Sequence, residues 1–178
     1  MVKKANENIP RTREEINNMM EEAAKHYGKF LNALGFDYMA DRQTIDTPKR
    51  VAKSWMKDLV VGSVTEGPGM TIFPNEERYE GVVIQTGIRV NSICAHHNLP
   101  FMGWASVAYI PGDYLKDNLK RESIAVSLSS KHTCCGIRGV KHPESVMTTN
   151  SFSGMFMEKN NLVREEFLQA INKNGNKF

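Results

Sequence analysis

No stretch of this chain approaches the roughly 18 consecutive apolar residues that a membrane-crossing helix requires. Its opening residues, Met1-Val2-Lys3-Lys4-Ala5-Asn6-Glu7, lack the apolar core of a secretory leader. Cysteine is scarce: Cys94, Cys134 and Cys135 are an odd number, and the last two are adjacent, which suits a disulfide framework poorly and points to a reducing, cytoplasmic setting. No charge of one sign dominates either. With 23 basic against 20 acidic residues and a net charge of +3, the chain is too evenly mixed for a nucleic-acid binder, although a local basic patch could hold a small anion. There is no repeat of solenoid period, and 178 residues suffice for one sizeable core with a helical appendage.

What is present begins with a polar arm over residues 1–11. Thr12 and Glu15 then form a capping-box pattern, and Ile16, Met20, Ala23, Tyr27, Leu31 and Leu34 recur at helical spacing until Gly35. A second amphipathic helix is predicted from Asp46-Thr47-Pro48, with Thr47 as N-cap, Pro48 at the first helical position and Gly62 as the stop. Val51, Trp55 and Leu59 form its apolar stripe, whereas Arg50, Lys53 and Lys57 share another side, a pattern that composition alone assigns to a solvated face. A Gly- and Pro-bearing connection at 62–69 divides a helical region, 1–69, from a β-rich region, 70–178.

In the second region β-branched and aromatic residues dominate from Val82 onward. Runs at 81–93 and 101–110 predict an antiparallel pair, alternation from Ile124 predicts a third strand, and 145–156 a fourth. Val163, Phe167, Ala170 and Ile171 mark a closing helix before Asn174-Gly175. The polar segment 114–123 has no clear pattern. The fold class is therefore α+β, an antiparallel sheet with N-terminal helices.

Chemistry concentrates at two clusters. Cys94, His96 and His97 lie in the turn between the first two strands; His132, Cys134 and Cys135 follow the third. If the strand pairs lie in one sheet, Cys94, His97 and one cysteine of the second cluster can form a Cys₂His metal site with an open fourth position, the arrangement of a catalytic rather than a structural zinc. Spacing does not choose between Cys134 and Cys135. His96 and His132 remain nearby to move protons, which suits metal-assisted hydrolysis.

Cys94-Ala95-His96-His97-Asn98-Leu99-Pro100-Phe101 resembles the C-E-H-H-x-L-P-F signature of the GTP cyclohydrolase I family, and His132-Thr133-Cys134-Cys135-Gly136-Ile137-Arg138-Gly139 resembles its H-x-C-x-x-x-R-G segment. Asp46-Thr47-Pro48-Lys49-Arg50-Val51-Ala52 is similar to the family's D-T-P-x-R-V-A helix start, and Thr71-Ile72-Phe73-Pro74-Asn75-Glu76-Glu77 to the run before its first strand. The resemblance implies the tunnelling fold, in which sheets of several subunits close into a barrel, as a homodecamer. It implies hydrolysis of GTP to formate and 7,8-dihydroneopterin triphosphate. It further implies Cys94, His97 and Cys134 as ligands of Zn²⁺, His96 and His132 as proton-transfer groups, and Arg50, Lys53 and Arg138 as holders of the triphosphate.

The chain departs from that pattern twice. Ala95 replaces the usual Glu, and only residues 114–123 stand where the family has a long helical insertion carrying S-K-x-x-R and a Q-E pair that reads guanine. Each guanine N–H left unpaired in a buried site would cost about 1–3 kcal/mol and erode selectivity. Two alternatives follow: a zinc-bearing binding or assembly protein of the same fold, and a hydrolase that opens the ring of another purine nucleotide.

Overall fold

In the computed structural model, which describes residues 4, 7–69, 71, 74–111, 123–158 and 161–174, helix α1 (Arg13–Ala33) starts at a complete capping box. The Thr12 hydroxyl accepts from the Glu15 backbone N–H at 3.1 Å, and the Glu15 carboxylate accepts from the Thr12 N–H at 2.8 Å. These contacts satisfy donors that no helical carbonyl reaches. Leu34 is the C-cap, and Gly35, with φ +85°, lets the chain turn back so that the Phe36 N–H bonds the Leu31 carbonyl at 3.0 Å. The inward stripe differs in phase from expectation: Ala24 and Gly28 are buried, with Ile16, Met20, Tyr27 and Leu31 half-buried, whereas Ala23 and Leu34 face out. Tyr38 explains Gly28, since its hydroxyl occupies the space a Cβ would need.

Helix α2 (Thr47–Ser54) has Asp46 as its N-cap, without a side-chain capping bond, and Thr47 lies inside the first turn rather than before it. The helix then widens into a π-helical turn, Trp55–Leu59, and a 3-10 turn, Val61–Ser63. Ala52 and Met56 are buried, and α1 packs on α2. Residues 9 and 11 of the predicted polar arm bond to the carbonyls of Ser63 and Val64 at 3.1 and 2.8 Å; residues 1–3, 5 and 6 lie outside the described residues. These helices belong to one of two compact units, Met1–Pro68; the other is Gly69–Phe178.

The second unit is built on a four-stranded antiparallel sheet in sequence order: β1 (Val83–Ile93), β2 (Pro100–Tyr109), β3 (Ile124–His132) and β4 (Met147–Phe152). A β-bulge between Gln85 and Ile88 uses Gly87 at φ +73°. The last strand is shorter than predicted, because Gly154 at φ +55° diverts the chain into a 3-10 turn, Gly154–Met157. A one-turn helix, α3 (Thr133–Gly136), follows β3, and α4 (Leu162–Asn174) closes the chain. All of the polar segment 114–123 except Ser123 lies outside the described residues, as does Gly175.

Directly opposed residues of an antiparallel sheet share a face. Ile84, Ala108, Ala125 and Phe152 are aligned across all four strands, and α4 covers them. Phe167 meets Phe156 and Phe152 edge-on at 6.2 and 6.4 Å, and Arg164 lies 4.2 Å above the Phe152 ring. The core thus sits over one end of the strands and leaves the opposite end open for chemistry. Ile88, Val126 and Met147, on the other face of the sheet, remain exposed. Among the described residues no helix is long and apolar enough to cross a membrane.

Candidate metal centre

Register brings the two Cys/His clusters together. Ser92, Phe101 and His132 lie opposite one another on β1, β2 and β3, so Cys94 and Cys134 each follow this row by two residues, at the same end of the sheet. The turn after β1 is closed by two 2.8 Å bonds, Asn98 N–H to the Cys94 carbonyl and Cys94 N–H to the Leu99 carbonyl. Asn98 takes the left-handed conformation, φ +57°, that this residue type tolerates. On the neighbouring strand the Thr133 hydroxyl donates to the Pro100 carbonyl at 2.6 Å, pinning the start of α3 to the start of β2. His132 is stacked on Phe101 with ring centroids 4.5 Å apart.

The ligand atoms of Cys94, His97 and Cys134 lie within 4.8 Å of one another. Both cysteines are buried and His97 is exposed, so the group is open on the imidazole side. Cys135 stands outside it, half-buried, with its sulfur 3.9 Å from that of Cys134. All three thiols are free. The His96 Nδ1 is 4.0 Å from the Cys94 sulfur.

The electrostatics of the two thiols are opposed. A hydrogen bond from the His97 side chain, helped by the backbone of His97 and His96 and by the His132 side chain, holds the Cys94 thiol down to about 5. Burial pushes Cys134 up to about 11, with the Cys94 and Cys135 sulfurs adding to the effect. Without a metal the pair is one thiolate and one thiol, because two adjacent anions in a dry site repel. A divalent cation reverses that preference and draws both sulfurs into the thiolate form. Two soft sulfurs and an imidazole at this separation are a donor set for a borderline-soft divalent ion.

Arg138 follows α3 on the exposed turn that contains Gly139 at φ +64°. Arg50 is 62% exposed; it donates to the Gln43 carbonyl at 3.3 Å and lies 3.8 Å from Asp46. Lys53 is also exposed but lines a cleft between α1 and α2 that Arg50 does not line. Lys49, which the sequence reading passed over, lines the same cleft, as does Lys57. The signal was available, since Lys49, Lys53 and Lys57 are spaced by four residues. Ala95 is exposed in the turn beside the ligand group.

A family model described as GTP cyclohydrolase I matches residues 23–116 and 112–172. The two matches overlap at 112–116, in the short connection between β2 and β3. A GTP cyclohydrolase 1 of Sulfurihydrogenibium sp. (strain YO3AOP1) is 35% identical, over 80% of this chain and 90% of that protein. One from Bacteroides thetaiotaomicron is 31% identical over 85% of this chain and 92% of its own, and one from Yersinia enterocolitica 28% identical over 85% and 82%. The Bacteroides alignment runs over 192 positions, more than the 178 residues of this chain, so it opens gaps here.

Proposed function

The chain belongs to the GTP cyclohydrolase I family, and from that membership we propose that it is a zinc-dependent GTP cyclohydrolase I that converts GTP and water to formate and 7,8-dihydroneopterin triphosphate. The observation that carries this reading is the convergence of Cys94, His97 and Cys134, with His96 and His132 beside Cys94, at the open end of one sheet. Cys94, His97 and Cys134, whose ligand atoms lie within 4.8 Å of one another, would hold the zinc ion through two thiolates and an imidazole. Bound there, the ion supplies Lewis-acid chemistry toward water at the guanine C8.

The residues of the chain do the rest. His96 and His132 accept and return protons as the imidazole ring opens and formate leaves. Stacking on Phe101 fixes the His132 ring plane beside Cys94. Arg138, Arg50 and Lys53 hold the triphosphate, the arginines by paired N–H donors and the lysine as a point charge. The weak contacts of Arg50 to Gln43 and Asp46 are readily exchanged for phosphate oxygens. In the assembled oligomer Arg50 and Lys53 serve a neighbouring subunit's substrate.

Assembly follows the tunnelling fold: sheets of several subunits close into a barrel, and the enzyme is a cytoplasmic homodecamer. Two features support this. β1 and β4 are the edge strands of the sheet among the described residues, and Ile88, Val126 and Met147 are exposed on one of its faces. Ala95 and the short 112–122 connection make guanine selectivity the weakest inherited property.

The test is turnover by the zinc-loaded oligomer with GTP and with other purine nucleotides, read as pterin fluorescence after oxidation. GTP should be the preferred substrate, and His96→Ala or His132→Ala should lower kcat by about 10²- to 10⁴-fold with zinc retained. Equal use of another purine nucleotide would assign a broader ring-opening hydrolase. No turnover with any of them would leave a zinc-bearing binding protein.

A further inference from the structure

The helical unit holds a second concave feature, whose lining shares only Lys53 with the residues assigned to the substrate. Between α1 and α2 lies a cleft of about 590 Å³, within the size range of small-molecule sites. Its floor is apolar, with Met20, Tyr38 and Ile45, and four ammonium groups line it: Lys25, Lys49, Lys53 and Lys57. Lys25 makes an exposed ion pair with Glu22 at 3.4 Å, but Lys49, Lys53 and Lys57 have no carboxylate partner among the described residues. Glu21 is the one acidic residue on the lining.

Three like charges one turn apart repel each other and weaken the helix that carries them. The local backbone keeps them together. In a regular α-helix each four-residue step drifts by about 40°, carrying Lys57 away from Lys49. The π-helical turn Trp55–Leu59, closed by the Val60 N–H to the Trp55 carbonyl at 2.8 Å, slows that rotation and leaves Lys57 on the cleft. Inserted π turns of this kind often mark functional positions.

We propose that this cleft binds a small organic anion with a phosphate-rich head and a flat apolar body, a site separate from the metal centre. Ammonium groups act as point charges for phosphate, and Tyr38, Met20 and Ile45 offer the apolar floor for the body. Lys53 lies on the same rim, and because the triphosphate role already claims it, the test leaves it unaltered.

The test is calorimetric titration of the zinc-loaded full chain with ATP, tripolyphosphate and adenosine. ATP should bind, tripolyphosphate more weakly, and adenosine weakest. Lys49→Gln with Lys57→Gln should weaken ATP binding by about tenfold or more while GTP turnover stays unchanged. Ile45→Ser should weaken ATP but not tripolyphosphate, and Arg50→Ala should leave ATP binding intact. Three results would overturn the proposal: no ATP binding at millimolar concentration by the folded chain, binding lost with Arg50→Ala but kept in the double variant, or capture of an oligoglutamate peptide in preference to ATP. The readout is direct binding, so a chain inactive toward GTP would leave this inference standing.

Discussion

Zinc affinity of the metal-free chain should rise with pH, and the two ligand thiols set the slope. Cys94 is held down to about 5 and Cys134 pushed up to about 11, so between about pH 7.5 and about pH 9 the pair carries one proton. Both sulfurs bind the metal as thiolates, and closing the site expels that proton. The free form then holds one proton more than the complex, so affinity increases with pH by about tenfold per unit across this window. Cys134→Ala removes the protonated thiol. Its slope should fall to near zero and its affinity drop by more than the roughly 10- to 100-fold cost of an outer-shell change. Cys135→Ala should keep both slope and affinity. Competition with a chromogenic chelator at several pH values gives the slope, and calorimetry in buffers of different ionisation enthalpy counts the protons. A count of zero or two would refute the thiol–thiolate assignment; a Cys135→Ala protein that loses zinc would refute the ligand set.

Three further substitutions test the scaffold by urea unfolding. Phe167→Ala empties a fully buried position between Phe152 and Phe156 and should cost about 3–5 kcal/mol. Gly103→Ala would drive a Cβ into the Ser129 carbonyl of the adjacent strand and should cost about 1–3 kcal/mol; wild-type stability would mean that β2 and β3 lie farther apart. Thr12→Ala removes half of the capping box and should cost about 1 kcal/mol, a loss that Thr12→Ser should largely restore.

The features that local chemistry dictates were legible in the sequence. The Thr12–Glu15 capping box and the Gly35 stop are each set by residues within one turn, and the hairpin around Cys94 follows from runs rich in β-branched and aromatic residues on both sides of a short turn. What spacing left open was decided by register and helix phase. Cys134 and Cys135 are equivalent in composition, but α3 turns one sulfur toward Cys94 and the other away. On α1 a shift of one residue replaces Ala23 by Ala24 in the buried stripe, because Tyr38 packs over Gly28. On the second helix the π-helical turn, which keeps Lys57 on the cleft with Lys49 and Lys53, could not be read from periodicity. The roles proposed for His96, His132, Arg50, Lys53 and Arg138 rest on resemblance to a family, since no spacing distinguishes a proton-transfer histidine from an ordinary one.

The most direct test of the account is formate release from GTP labelled at C8. The zinc-loaded oligomer is expected to release one formate per pterin formed, Cys134→Ala to release none above background for want of zinc, and His132→Ala to release it about 10²- to 10⁴-fold more slowly with zinc still bound. Pterin formation without zinc, or zinc-loaded protein that binds GTP but releases no labelled formate, would contradict the claim that Cys94, His97 and Cys134 hold the ion that opens the ring.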